Sequence, residues 1–171
     1  MSNLDIASGQ STRQTILVVD DETSIIRLCG ALLEEAGFSI LPATNSSDAL
    51  KICKNHPGPI HLLLTDLVMA PPEFSFASGD NEFPNVHGHE VAVRALRIRK
   101  DLRVVLMSGN IDQESAGYGI RPGRLPFLAK PFEHRDLVTL VRQTLQAPPP
   151  SVESLTEGPP GVPKSGDQWV D

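Results

Sequence analysis

Residues 16–22 read ILVVDDE, a run of four apolar residues that ends in three acidic ones. Four further short runs recur along the chain, at Ser39–Leu41, Leu62–Leu64, Val104–Met107 and Phe127–Ala129. All but Ser39–Leu41 are continuously apolar rather than alternating, which is typical of strands covered on both faces. Ser39–Leu41 is interpreted as a strand only because it lies between two helical patterns. The sequence therefore predicts five short strands.

Amphipathic helical patterns separate these runs. Apolar residues recur three and four positions apart from Thr23 to Ala36, in residues 46–54, in Val91–Ile98 and in Leu137–Leu145. Gly37 follows the first of these patterns, where a helix C-terminal glycine belongs. Strand alternating with helix predicts an α/β fold, a doubly wound five-stranded parallel sheet with helices on both faces. Ligands of such sheets bind at the carboxyl ends of the strands.

Two segments interrupt the alternation. Residues 70–87 are long for a connection between a strand and a helix, which usually takes about 2–6 residues. The other segment, Ile111–Leu125, contains Gly117, Gly119, Pro122 and Gly123 where a fourth helix is expected. Glycine and proline disfavour helix, so this fourth helix is predicted to be short or absent.

Composition limits the organisation and the partners of the chain. The 171 residues carry 15 basic and 21 acidic side chains, a net charge of −6 that disfavours non-specific binding to nucleic acid. We expect one domain at 14–147, a flexible tail at 1–13 and a Pro-rich, disordered tail at 148–171. Neither a signal peptide nor a membrane-spanning apolar stretch is visible, so we expect a cytoplasmic protein without membrane insertion. Cys29 and Cys53 are interpreted as reduced core thiols.

Polar residues with a shared chemistry follow the predicted strands. Asp20 and Asp21 follow the first strand and Asp66 the third, while Ser108 and Lys130 follow the fourth and fifth. Parallel strands bring these ends to one edge, where three carboxylates would repel one another without a cation. Oxygen ligands of this kind suit Mg²⁺. The set predicts phosphoryl transfer to Asp66, with Mg²⁺, Ser108 and Lys130 neutralising the transferring group.

Four segments, in this order, resemble the receiver domain of two-component response regulators. They are ILVVDDE (16–22), LLLTDLVM (62–69), VVLMSGN (104–110) and FLAKPF (127–132). The resemblance covers residues 14–147 and implies a flavodoxin-like sheet of strand order 2-1-3-4-5. It also implies that Asp66 is the phosphoacceptor and that Lys130 binds the phosphoryl group.

Further roles are implied by the same resemblance. Asp21 matches a direct Mg²⁺ ligand, Asp20 a ligand acting largely through water, and the backbone carbonyl of Val68 the third protein ligand. Ser108 matches the switch hydroxyl and Phe127 the aromatic switch. The Lys130-Pro131 bond matches a cis peptide of the family.

The chain departs from the family pattern at several points. Ala70 replaces a proline, and about 14 residues are inserted before His87 and Gly88. The reduced fourth helix would alter the usual output surface. Val68 and Asn110 predict slow self-dephosphorylation. His87 and His89 are interpreted as surface or capping residues, and the basic stretch 94–103 as a solvated helix face.

Three functions compete at this point. The first is a stand-alone receiver that takes a phosphoryl group from a histidine kinase or histidine phosphotransfer protein. It would catalyse only its own phosphorylation and slow dephosphorylation, and its output would be protein–protein because residues 148–171 are too few for an output domain. The second is a phosphorylation-independent adaptor of the same fold. The third is a small hydrolase, but the sequence contains neither a nucleophile elbow nor a P-loop.

Overall fold

The apolar runs form five parallel strands in the computed structural model, which describes residues 12–69, 86–109 and 124–156. The strands are β1 (Thr15–Val19), β2 (Ser39–Ala43), β3 (Leu62–Asp66), β4 (Arg103–Ser108) and β5 (Phe127–Ala129). Their order in the sheet is β2-β1-β3-β4-β5, with every neighbouring pair parallel. The predicted flavodoxin-like α/β fold is therefore confirmed.

Burial explains why some strands were easier to recognise than others. All five residues of β3 are buried, as are all but the first residues of β1 and β4. In contrast, β2 lies at the edge of the sheet and buries only its last residue, Ala43. An edge position also accommodates Pro42, which has no amide hydrogen to donate. A strand that is half exposed needs no continuous apolar run.

Five helices are present in the described ranges, and four of them cover the sheet. They are α1 (Thr23–Glu35), α2 (Ser46–Asn55), α3 (Gly88–Ile98), α4 (His134–Gln146) and α5 (Val152–Thr156). One core cluster packs α2 and α3 against the sheet, and a second cluster packs α1 and α4 against the opposite face. No helix in the described residues is long and apolar enough to cross a membrane.

Individual residues explain where α1 ends and where α2 begins. Gly37 ends the α1 region with a positive φ of 99°, a conformation that suits glycine. Asn45 begins α2, because its side chain accepts a hydrogen bond of 2.8 Å from the amide of Asp48. Cys29 and Cys53 are free and buried, and burial raises the pKa values of their thiols to about 12 and about 11.

One residue of the basic stretch does not lie on a solvated face as expected. The guanidinium of Arg99, just after α3, donates hydrogen bonds of 2.7–2.9 Å to the carbonyls of Cys53, His56 and Gly58. Carbonyls at a helix C-terminus have no partner within the helix, and a cation there also interacts favourably with the helix dipole. Arg99 therefore fixes the end of α2 against α3.

The C-terminal segment also differs from the expectation of a disordered tail. Within it, α5 packs the half-buried side chains of Val152 and Leu155 against the α2–α3 side of the core. The side chain of His89 on α3 forms a hydrogen bond with the backbone of Leu155. Because residues three apart lie on one face of a helix, Val152 and Leu155 together form the apolar face that this short helix packs against the core. Disorder thus does not hold for 152–156.

Several expectations fall wholly or mostly outside the described residues. They concern the structure of the loop at residues 70–85, the reduced fourth helix expected at Ile111–Leu125, the role of Asn110, the flexibility of residues 1–11 and the disorder of residues 157–171. The boundary that we expected for the domain, 14–147, stays a prediction.

Replacing Leu155 with serine tests whether α5 packs on α3. We expect Leu155→Ser to lower the free energy of unfolding by about 1 kcal/mol, because a half-buried leucine loses its apolar contacts. Urea denaturation of the full chain measures this change. Glu153→Ser, on the exposed side of the same helix, is the matched control and should change stability by less than about 0.5 kcal/mol. Equal effects of the two substitutions would contradict the packing.

Candidate functional site

The strand ends predicted to carry chemistry meet at one edge of the sheet. Asp66 ends β3 and lies opposite Met107 of β4, one residue before Ser108. Ser108 in turn lies opposite Ala129 of β5, and the amide of Lys130 donates a 2.8 Å hydrogen bond to the Ser108 carbonyl. These pairings place the residues that follow each strand in one shallow region.

Three carboxylates come together at this edge. One carboxylate oxygen from each of Asp20, Asp21 and Asp66 lies within 4.8 Å of the other two. Asp20 is fully buried, Asp66 is 8% exposed and Asp21 is exposed. The cluster is thus open to solvent on the side of Asp21 and enclosed on the other, so that a small ion or group can approach it from one direction.

Lys130 is the cation that faces this cluster. Its Nζ donates a 2.7 Å hydrogen bond to Oδ2 of Asp20 and lies 3.4 Å from Oδ1 of Asp66. The other oxygen of Asp20, Oδ1, accepts the amide of Glu22 at 2.9 Å. Both oxygens of Asp20 are therefore held in place. The lysine lies nearer to Asp20 than to the predicted phosphoacceptor.

One lysine does not balance three acids, and the pKa values reflect this. Burial, reinforced by the negative charge of Asp20, raises the pKa of Asp66 to about 7 even though Lys130 acts in the opposite direction. Burial likewise raises the pKa of Asp20, against the hydrogen bond from Lys130. Burial alone would lower the pKa of Lys130, but the hydrogen bond to Asp20 and the charges of both acids raise it. The site therefore has an excess of negative charge.

This donor set fits a divalent cation. Its ligands are all oxygen atoms, they come from three carboxylates on one side of the site, and they are destabilised by one another in the absence of a further positive charge. Hard cations such as Mg²⁺ take one or two carboxylates and complete their coordination with water or phosphate oxygens. Asp20, Asp21 and Asp66 can therefore hold such an ion.

The structure also gives the positions of the remaining residues that were predicted for the site. Ser108 is fully buried at the end of β4, and Val68 is half-buried two residues after Asp66. Phe127 is half-buried, lies opposite Leu106 in the sheet and packs against the α2–α3 side of the core. The Lys130-Pro131 bond is cis, as the resemblance implied. The switch roles of Ser108 and Phe127 stay predictions.

Gly88, at the start of α3, is a site residue whose role the sequence did not reveal. Its amide donates a 2.9 Å hydrogen bond to the carbonyl of Leu67, and the amide of Leu67 donates to Met107 at 2.8 Å. A Cβ atom at position 88 would clash with the carbonyl group of Asp66 and approach the Cα of Leu67. Only glycine allows α3 to come this close to the backbone of the acid. In the sequence, the signal available for this role is a glycine at the first position of a helix.

The two neighbouring histidines differ from their predicted surface or capping roles. Both are half-buried, and His87 stands at the N-cap position of α3 without a side-chain capping hydrogen bond. Instead, Nδ1 of His87 accepts the amide of Met69 at 3.4 Å. His89 contacts α5, and burial lowers its pKa. The long connection after β3 thus begins and ends at residues that contact each other.

Comparison with known proteins agrees with this fold. The response regulator receiver domain family matches residues 16–142, and the chain belongs to this family. Response regulator SaeR from Staphylococcus aureus is 22% identical over 130 residues, which cover 76% of this chain and 50% of that protein. This chain therefore spans about half the length of the curated relatives it matches.

Solved receiver structures resemble the chain over most of its length. A response regulator receiver protein from Sinorhizobium medicae has a TM-score of 0.63 and 28% identity, covering 80% of this chain and 97% of that one. The receiver domain from the hybrid histidine kinase CckA has a TM-score of 0.56 and 26% identity, covering 77% of this chain and 99% of that one.

Replacing Gly88 with alanine tests how closely α3 approaches Asp66. We expect Gly88→Ala to lower the free energy of unfolding by about 2–3 kcal/mol, because the added Cβ meets backbone that cannot move aside easily. Urea denaturation measures the change. Gly30→Ala, inside α1, is the control: its Cβ would meet only the Ile40 side chain at 4.0 Å, and alanine favours helix. A loss at Gly88 no larger than that at Gly30 would contradict the close approach.

The raised pKa of Asp66 predicts how stability depends on pH. A carboxyl group that binds its proton more tightly in the folded chain stabilises the fold at low pH. This contribution is complete below about pH 4, where the unfolded chain is protonated too, and is lost as pH rises through about 7. Without divalent cations, Asp66→Asn should therefore be more stable than wild type at pH 8, on the order of 2 kcal/mol.

Urea denaturation at pH 5 and pH 8 in the presence of a chelator measures this difference. The advantage of Asp66→Asn should be larger at pH 8 than at pH 5. Asp136→Asn, on the exposed surface of α4, is the control and should show no comparable change. An advantage that is independent of pH would mean that Asp66 titrates normally.

Proposed function

We propose that this chain is the phosphoacceptor of a two-component phosphorelay, which receives a phosphoryl group on Asp66 in a Mg²⁺-dependent reaction. The donor would be the phosphohistidine of a histidine kinase or of a histidine phosphotransfer protein. The observation that carries the proposal is the cluster of Asp20, Asp21 and Asp66 beside Lys130. The family match over residues 16–142 supports it.

The chemistry follows from the positions of the acids. A carboxylate oxygen of Asp66 forms a bond to phosphorus while the bond between phosphorus and the donor imidazole nitrogen breaks, and that nitrogen keeps the electron pair. Asp20, Asp21, Asp66 and the carbonyl of Val68 would hold Mg²⁺. Bound there, the ion neutralises negative charge on the acids and on the transferring group.

Lys130 and Ser108 would act on the phosphorylated site. The ammonium of Lys130 is held by Asp20 at 2.7 Å and already lies 3.4 Å from Asp66, so a phosphoryl group on Asp66 would meet a preorganised positive charge. The hydroxyl of Ser108 would donate to a phosphoryl oxygen, and Phe127 would move with it. This rearrangement would switch protein–protein contacts, which we propose as the output.

The buried acids argue against the adaptor interpretation. Asp20 and Asp66 are almost completely buried, and burial raises both pKa values, so keeping the two residues as charged groups destabilises the fold. An adaptor that never binds a cation or a phosphoryl group would gain nothing from this cost. We therefore favour the phosphoacceptor, which we also expect to hydrolyse its phosphoryl group slowly.

Incubation with Mg²⁺ and a small acyl phosphate tests the proposal. We expect intact-mass spectrometry to show one adduct of about 80 Da on the wild-type chain. The adduct should be absent in Asp66→Asn and when a chelator replaces Mg²⁺. Asp48→Asn, an exposed acid at the start of α2, is the matched control and should be modified like wild type.

Two outcomes would contradict the proposal. An unmodified wild-type chain, still folded by circular dichroism, would favour the adaptor. Continuous release of phosphate from the acyl phosphate at a rate that exceeds adduct formation would favour a hydrolase. Persistence of the adduct after removal of the donor measures the self-dephosphorylation that we expect to be slow.

A further inference from the structure

The backbone that follows Asp66 is held by hydrogen bonds on both sides. The amide of Leu67 donates to the carbonyl of Met107 at 2.8 Å, and the carbonyl of Leu67 accepts the amide of Gly88 at 2.9 Å. These two bonds fix the first peptide units after the acid between β4 and α3. The next peptide unit joins Val68 to Met69, and its carbonyl is the one that the proposed function assigns to Mg²⁺.

The amide end of this peptide unit faces a histidine. The amide of Met69 donates to Nδ1 of His87 at 3.4 Å. A trans peptide is planar, with its N–H and C=O groups pointing in opposite directions, and among the described residues the only cis peptide bond is Lys130-Pro131. Holding the Met69 amide toward His87 therefore directs the Val68 carbonyl away from His87. Within the described ranges, no group donates a hydrogen bond to that carbonyl.

The position of His87 is itself well determined. On one side, Gly88 approaches the backbone of Asp66 and donates to Leu67. On the other side, the amide of Val86 donates to Oγ of Ser46 at 2.8 Å, and Ser46 is buried at the start of α2. Backbone hydrogen bonds at Val86 and at Gly88 thus fix the chain on both sides of His87. Because the side chain of His87 does not cap α3, replacing it does not remove a helix cap.

We propose that His87 is a positioning residue for the cation site. By accepting the Met69 amide, it holds the Val68–Met69 peptide in the orientation in which the Val68 carbonyl serves as a ligand. This inference rests on the proposed function, because that function supplies the cation. Outer groups that orient metal ligands commonly change metal affinity about 10- to 100-fold, and a single long hydrogen bond belongs at or below the lower end of that range.

Two substitutions in the full chain separate the acceptor atom from the bulk of the side chain. His87→Leu replaces the imidazole with an apolar side chain of similar size and so removes the Nδ1 acceptor. His87→Asn can place Oδ1 near the position of Nδ1 and accept the same amide. Mg²⁺ titration, followed through the amide resonance of Asp21 in ¹H–¹⁵N spectra, gives the dissociation constant without any phosphodonor. The Met69 amide resonance of the cation-free protein reports the hydrogen bond itself.

We expect His87→Leu to weaken Mg²⁺ binding by about 3- to 10-fold and to shift the Met69 resonance. His87→Asn should stay within about 2-fold of wild type, the change expected when the hydrogen bond is retained. Wild-type affinity in His87→Leu would overturn the inference, and so would equal weakening in both variants. In both of these cases the wild-type chain still binds Mg²⁺ and forms the adduct on Asp66. A wild-type chain that does neither would overturn the proposed function, and the inference with it.

Discussion

The central constraint in this structure is the electrostatic repulsion among three acids that the fold holds together. Asp20, Asp21 and Asp66 come within 4.8 Å because parallel strands β1 and β3 end at the same edge, and hydrophobic burial of these strands prevents the acids from moving apart. Lys130 compensates part of the charge, but the pKa of Asp66 still rises to about 7. The fold therefore holds an unfavourable interaction that a bound cation would relieve.

The connection between β3 and α3 is long, and contacts at its two ends hold the backbone beside the site in place. Met69 and His87 contact each other at its two ends, Gly88 packs on the backbone of Asp66, and Val86 is anchored on Ser46. The positions that matter for the acid are thus fixed by residues outside 70–85. The C-terminal residues add a second feature, since α5 contacts α3 through Leu155 and His89, next to the same junction.

Most of the fold was predictable because it follows from periodicity and burial. Continuous apolar runs identified β1, β3 and β4, which are buried on both faces, and the resemblance to receivers gave the strand order, which is confirmed. The acids and Lys130 were found because they follow strands directly. Gly88, His87 and Arg99 were not, since each acts through contacts with backbone that is far away in sequence. Likewise, α5 was missed because two apolar residues among prolines give no periodic signal.

The central claim is that Asp66 belongs to a crowded acidic site whose excess charge a divalent cation relieves. Carbon-13 NMR of the Asp66 carboxyl group, titrated with and without saturating Mg²⁺, tests this claim most directly. We predict a pKa near 7 without the cation and a pKa well below that value with it. An ordinary aspartate pKa of about 4 that Mg²⁺ leaves unchanged would contradict the account.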